Sequence, residues 1–157
     1  MRKFLTLALA LGLMLGLVSC GGGENNAPPL YAASHVEQIN KAGAFSEELE
    51  ELEGDTAFLL YKLSDQGLAR EDLKECTALR SAGATCEEAA VLVFTDADKA
   101  ETAEKALGDY IDGQISANKD YRPAEIPKLE NAWIDRRGET LLLVVANDLD
   151  AAKDAVK

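Results

Sequence analysis

Leu141-Leu142-Leu143-Val144-Val145-Ala146 is apolar at every position. A strand with one wet face alternates apolar and polar residues, so an unbroken run reads as a central strand covered on both faces. The chain before it reads as the other half of a hairpin. Leu129 to Asp135 forms the first strand, Arg136-Arg137-Gly138 the turn, and Glu139 to Asn147 the return. After it, Asn147-Asp148 reads as the cap of a last helix from Leu149 to Val156, with Lys153 and Lys157 towards its negative end.

A second apolar run, Ala89-Ala90-Val91-Leu92-Val93-Phe94, predicts another buried strand. Ser81-Ala82-Gly83-Ala84-Thr85 is a turn, and the segment before it, from about Leu73 to Arg80, reads as extended. Thr95 with Asp98 forms a capping pair that opens a long helix. Ala100, Ala103, Leu107, Tyr110, Ile111 and Ile115 recur there at steps of three and four, to about Asn118. Gly108 and Gly113 interrupt it and suggest close approach to the sheet. Tyr121 to Pro127 is a loop, because Pro123 and Pro127 are excluded from helix and strand interiors.

Nearer the start, Ser34 and Glu37 form a capping box for a short helix carrying Val36 and Ile39. Ser46 with Glu47 and Glu48 reads as a further helix start, giving one or two helices before Leu63. The order is α-α-β-β-α-β-β-α. It predicts one α+β domain over residues 34–157, a mainly antiparallel sheet of about four strands with helices packed on it.

The first twenty residues carry a different kind of information. Arg2 and Lys3 precede an apolar run from Phe4 to Val18, which is short for a membrane span of roughly 20 residues. The run ends in Leu17-Val18-Ser19-Cys20, which resembles the bacterial lipobox. That resemblance implies cleavage before Cys20 and acylation of its sulfur, with two or more chains holding the protein stably. Residues 1–19 are then a signal peptide and residues 20–33, rich in Gly, Asn and Pro, a flexible tether. The expected location is the outer face of the cell membrane.

The chain has 157 residues and a formal charge of −12. Removing nineteen residues leaves 138, and losing Arg2 and Lys3 takes the charge to −14. Such a surface is repelled by nucleic acid, which is excluded as a partner. The expected partners are the membrane, through the lipid, and an envelope protein or small ligand.

Two cysteines remain, Cys76 and Cys86. Outside the cytosol they read as a possible disulfide worth roughly 3 kcal/mol, or as two thiols packed as small hydrophobes. Their spacing is not that of a zinc site, and the one histidine, His35, stands apart near a helix start. Asp96-Ala97-Asp98 imitates the start of a calcium loop, but Ala100 and Glu101 break the pattern. No catalytic motif, metal site or cofactor site is spelled out. Trp133 sits in the hairpin on the face opposite Ala132 and Ile134, either as core packing or as a platform for a ligand.

The run from Ala103 to Val145 resembles a family of small exported lipoproteins known as domain of unknown function 4358. The matching residues are Lys105-Ala106-Leu107 through Tyr121, Pro123, Glu125, Leu129-Glu130-Asn131-Ala132, Arg137-Gly138 and Leu142-Leu143-Val144-Val145. The resemblance implies a lipid-anchored domain with no catalytic residues to carry over. It directs attention to Tyr121, Pro123, Glu125, Asn131 and Trp133 as a candidate interaction surface. The expected function is a lipid-anchored accessory or binding module. The alternative is an envelope-acting enzyme using acidic residues. A transporter's solute-binding protein is the least favoured reading, because two lobes do not fit in 138 residues.

Overall fold

A computed structural model describes residues 27–157. Cys20, the signal residues and the first part of the expected tether lie outside the described residues. The elements are α1 (Ala33–Lys41), β1 (Glu50–Leu52), α2 (Gly54–Leu60), β2 (Leu73–Arg80), β3 (Glu88–Phe94), α3 (Ala97–Asn118), α4 (Ile126–Glu130), β4 (Trp133–Arg137), β5 (Thr140–Val145) and α5 (Leu149–Asp154). Short 3₁₀ turns occupy Leu63–Gln66, Arg70–Asp72 and Pro123–Glu125. The strands form one sheet in the order β1-β2-β3-β5-β4, and every neighbouring pair is antiparallel.

The two apolar runs are the central neighbours β3 and β5, and their alternation feeds two separate cores. Ala90, Leu92, Phe94, Leu141, Leu143 and Val145 face α2 and α3. Ala89, Val91, Leu142 and Val144 face α1 and α5, meeting Val36, Ile39, Ala152 and Val156. Each large aliphatic side chain taken out of water here contributes about 1.5–3 kcal/mol. The α+β reading holds, with five strands in place of four. The added strand is β1, whose Glu50 and Glu51 pair with Arg80 and Leu79. The segment was expected to be helical from Ser46 onward, but Glu50 and Glu51 instead keep an open sheet edge charged.

Other boundaries shift for identifiable reasons. Ser46 does not start a helix; its hydroxyl and backbone N–H both donate to Glu87. The long helix is capped one residue later than expected, by Asp96, whose Oδ1 accepts from the Lys99 N–H at 2.9 Å. Gly108 and Gly113 make no close approach, since a Cβ on either would meet nothing within 4 Å. His35 turns out to cap α1: its Nδ1 accepts from the Ala32 N–H at 2.8 Å, the role expected of Glu37. The stretch from Pro123 to Glu130 is helical where a loop and a strand start were expected. Both prolines occupy first-turn positions, where a missing N–H costs nothing.

The folded body reaches back into residues expected to be tether. Tyr31 is 2% exposed. Its N–H donates to Thr140 Oγ1 at 2.9 Å, its hydroxyl donates to Asp135, and the Arg137 guanidinium lies 4.1 Å over its ring. Arg137 also donates to the Pro29 carbonyl. Leu30 crosses the β4–β5 turn so closely that a Cβ on Gly138 would stand 2.9 Å from Leu30 Cδ2. Gly138 also has φ 56°, a left-handed conformation that suits glycine. The folded body therefore begins at about Pro29, fastened to the β4–β5 turn.

Candidate functional site

Antiparallel pairing fixes which loops share an end of the sheet. Glu88 stands opposite Val145, and Trp133 opposite Val144. The start of β3, the end of β5 and the start of β4 therefore lie together, at the end remote from Gly138. Six residues of β5 separate the two ends, about 20 Å. The β2–β3 loop, the Tyr121–Asn131 segment and the β5–α5 junction all gather at this remote end.

A buried ionic cluster organises it. The Glu87 side chain is fully buried, and Lys128 reaches it at 2.8 Å. Lys128 also reaches Glu125 at 3.2 Å. Glu125 accepts in turn from the Cys86 N–H at 2.9 Å, and Glu87 accepts twice from Ser46. Burial pulls the Lys128 ammonium towards neutrality, but the two carboxylates outweigh it and hold its pKa above the ordinary value. Arg122 donates to the Gly83 and Thr85 carbonyls, which fixes the β2–β3 loop against the same segment.

Beside this cluster a groove of about 480 Å³ opens between α4 and α5, lined by Lys128, Asn131, Asn147, Asp148, Asp150 and Lys153 among others. The five residues expected to form a surface do share this end, but they play separate parts. Asn131 lines the groove, its amide donating to the Pro127 carbonyl at 2.7 Å. Glu125 is 8% exposed and belongs to the ionic cluster. Pro123 starts a 3₁₀ turn. Tyr121 is 87% exposed. Trp133 is half-buried on the α1/α5 face, with Lys153 Nζ 5.9 Å from its ring centroid. Sequence reasoning missed Glu87, Lys128, Asn147, Asp150 and Lys153. One signal was available: Glu87-Glu88 abuts a strand that reads as buried, so both charges needed partners.

Glu88 projects to the opposite face from Glu87. It accepts from the Tyr61 hydroxyl at 3.2 Å and lies 3.8 Å from Arg80. The Tyr110 ring packs edge-on against Tyr61 at 5.0 Å, and among the described residues its hydroxyl is the one buried side-chain polar atom left without a hydrogen bond. Burial pushes the Glu88 carboxyl up to about 7, against the opposing pull of the nearby Tyr110 hydroxyl, Arg80 and Tyr61. Adjacent in sequence, Glu87 and Glu88 thus have separate sets of partners and form no acid–base pair. Among the described residues no group of three or more His, Cys, Asp or Glu could hold a metal ion, and no helix is long and apolar enough to cross a membrane.

Cys76 and Cys86 are both free thiols, which overturns the disulfide reading. The hairpin register decides this. Cys76 stands opposite Leu92 on β3, whereas Cys86 lies just before the start of that strand. Strand spacing then puts roughly 20 Å between them, and a bridge needs Cα atoms within about 7 Å. Burial raises both thiols, Cys76 to about 11. Alkylation at pH 8 should therefore be slow in the folded protein, because the thiolate is the reactive form. Unfolding should expose two reactive thiols in the body, and mass spectrometry should record no change there on reduction.

These features define a class: a small α+β domain with a five-stranded antiparallel sheet between two helical layers and a polar groove at one end. The chain belongs to the family described as Domain of unknown function (DUF4358), whose model matches residues 47–146. The match takes in all five strands together with α2, α3 and α4. It leaves out α1, α5 and the Asn147–Lys153 wall of the groove. No curated protein and no solved structure matches the chain.

Proposed function

We propose that this protein is a lipid-anchored accessory or binding module on the outer face of the cell membrane, with the groove between α4 and α5 as its binding surface. The observation that carries this reading is the placement of the two ends. The acylated residue is Cys20, and the chain re-enters the fold at Pro29, on the β4–β5 turn. Fully extended, the stretch between them reaches at most about 30 Å. The leash therefore joins the body at its turn end, and the groove opens about 20 Å away at the other end of the sheet. A binding surface remote from the point of attachment suits a module that meets envelope material.

The test is Cys20→Ala. The wild-type protein is expected in the membrane fraction and labelled by radioactive palmitate. The variant is expected unprocessed, or soluble after processing, and unlabelled. Normal processing with full membrane retention of the variant would rule the anchor out.

A further inference from the structure

We propose that Glu88 is a proton-operated switch, whose ionisation draws Arg80 inward from Glu50 and loosens the edge strand β1. This goes beyond the anchored-module reading and depends on neither the lipid nor the groove. Strand register places the three residues in a row. Glu50 stands opposite Arg80, and Arg80 opposite Glu88, so all three share one face across β1, β2 and β3. Residues directly opposite have Cβ atoms about 5 Å apart, close enough for either carboxylate to take the guanidinium. The two carboxyls differ in their surroundings: Glu50 is exposed and Glu88 is buried. The Arg80 side chain, 32% exposed, sits between them. At 3.8 Å from Glu88 Oε2 it feels the charge but lies beyond a hydrogen bond, so it is not committed to the buried carboxyl.

The neighbouring groups give the proton a place. The Tyr61 hydroxyl, at 3.2 Å, and Arg80 both contact Oε2 of Glu88. Oε1 is then the oxygen that carries the proton. The Tyr110 hydroxyl lies close to Glu88 and Arg80, is buried, and has no hydrogen-bond partner. It can accept from the acid when Glu88 is neutral and donate to the carboxylate when Glu88 is ionised. A small closing movement therefore satisfies it in both states. Ionisation places a charge in a buried setting, and Arg80 is the cation that faces it. The groups packed around Glu88 keep their own protons near neutral pH. Tyr61 just after α2, Tyr110 on α3, Cys76 on β2 and Cys86 before β3 are all raised by burial, Cys76 to about 11. On β5 the residue opposite Glu88 is Val145, which does not titrate. Beyond Cys86, Glu125 is engaged by Lys128. Glu88 itself, pushed up to about 7, changes charge in that range.

Hydrogen exchange of the full-length protein in detergent tests the switch. Amide rates of Glu50–Leu52 are measured at pH 5.5 and pH 8, each divided by the unstructured-chain rate at that pH. Amides of residues 134–136 on β4, the opposite edge of the sheet, serve as the reference. In the wild type, protection of β1 relative to β4 is expected to fall about threefold from pH 5.5 to pH 8, the worth of one opposite-charge pair across strands. Glu88→Gln, which mimics the neutral acid, is expected to keep the higher protection at both pH values. Glu50→Gln, a change at an exposed position, is expected to show the lower protection at both, while its urea stability still falls with pH. The buried acid is also expected to give an infrared carboxylic-acid band at pH 5.5 that is lost at pH 8 and missing in Glu88→Gln. The proposal is overturned if β1 and β4 respond alike to pH, if either variant keeps the wild-type response, or if the wild type lacks that band at pH 5.5.

Discussion

Lys128→Met is expected to destabilise the fold by about 3–5 kcal/mol, the cost of stripping the partner from a buried charge. Two carboxylates depend on this ammonium. Glu87 is fully buried, and Glu125 is nearly so. With lysine gone, Glu87 keeps only the two donors of Ser46, and Glu125 keeps the Cys86 N–H. Each would hold a negative charge in a low-dielectric setting beside the other. The cluster ties α4, the β2–β3 loop and the segment after α1 together, so its loss loosens the whole end that carries the groove. Urea unfolding followed by circular dichroism reads the change as a lower midpoint at unchanged slope. The double variant Lys128→Met with Glu87→Gln should recover part of the loss, because no charge is then stranded at residue 87. If the single and double variants proved equally unstable, the loss would lie in packing and not in the stranded charge.

Stability should also fall as pH rises from about 4.5 to 7, and Glu88 is the reason. Its carboxyl titrates near 4.5 when solvated and is pushed up to about 7 in the fold. A raised folded-state pKa means that the native state holds the proton more tightly than the unfolded chain does. The associated stability is present in full below about 4.5 and is lost progressively as pH climbs to 7. The shift corresponds to about 3 kcal/mol. Tyr61 just after α2, Arg80 from β2 and Tyr110 from α3 face the carboxyl, and their combined pull does not cancel the burial. Glu88→Gln, which cannot titrate, is expected to flatten this slope. Urea midpoints taken at intervals from pH 4.5 to 8 for both proteins make the comparison. Equal slopes in the two would mean that Glu88 is not the titrating group.

The readings that held were local ones. The two unbroken apolar runs became the central strands because burial on both faces leaves no polar position to alternate with. The long helix held because its three-and-four spacing persists over several turns. Where the reading failed, a distant partner overrode a local preference. Ser46 looks like a helix cap but bonds to Glu87, more than forty residues away. Tyr31 follows a Gly- and Pro-rich stretch, yet packs against a turn more than a hundred residues later. Glu125 was picked out through a family likeness, and the structure makes it an internal support of the groove and not part of its surface.

By itself the sequence determined the α+β class, the identity of the buried strands and the apolar run that precedes Cys20. Each of these is written in short-range periodicity or contiguous composition. The tertiary structure alone decided the strand register, which separates Cys76 from Cys86 and gives Glu87 and Glu88 different partners. It alone decided that Pro29 to Tyr31 dock at one end of the sheet while the groove opens at the other. Those outcomes depend on which surfaces meet when the helices close over both faces, and no local pattern of residues encodes that meeting.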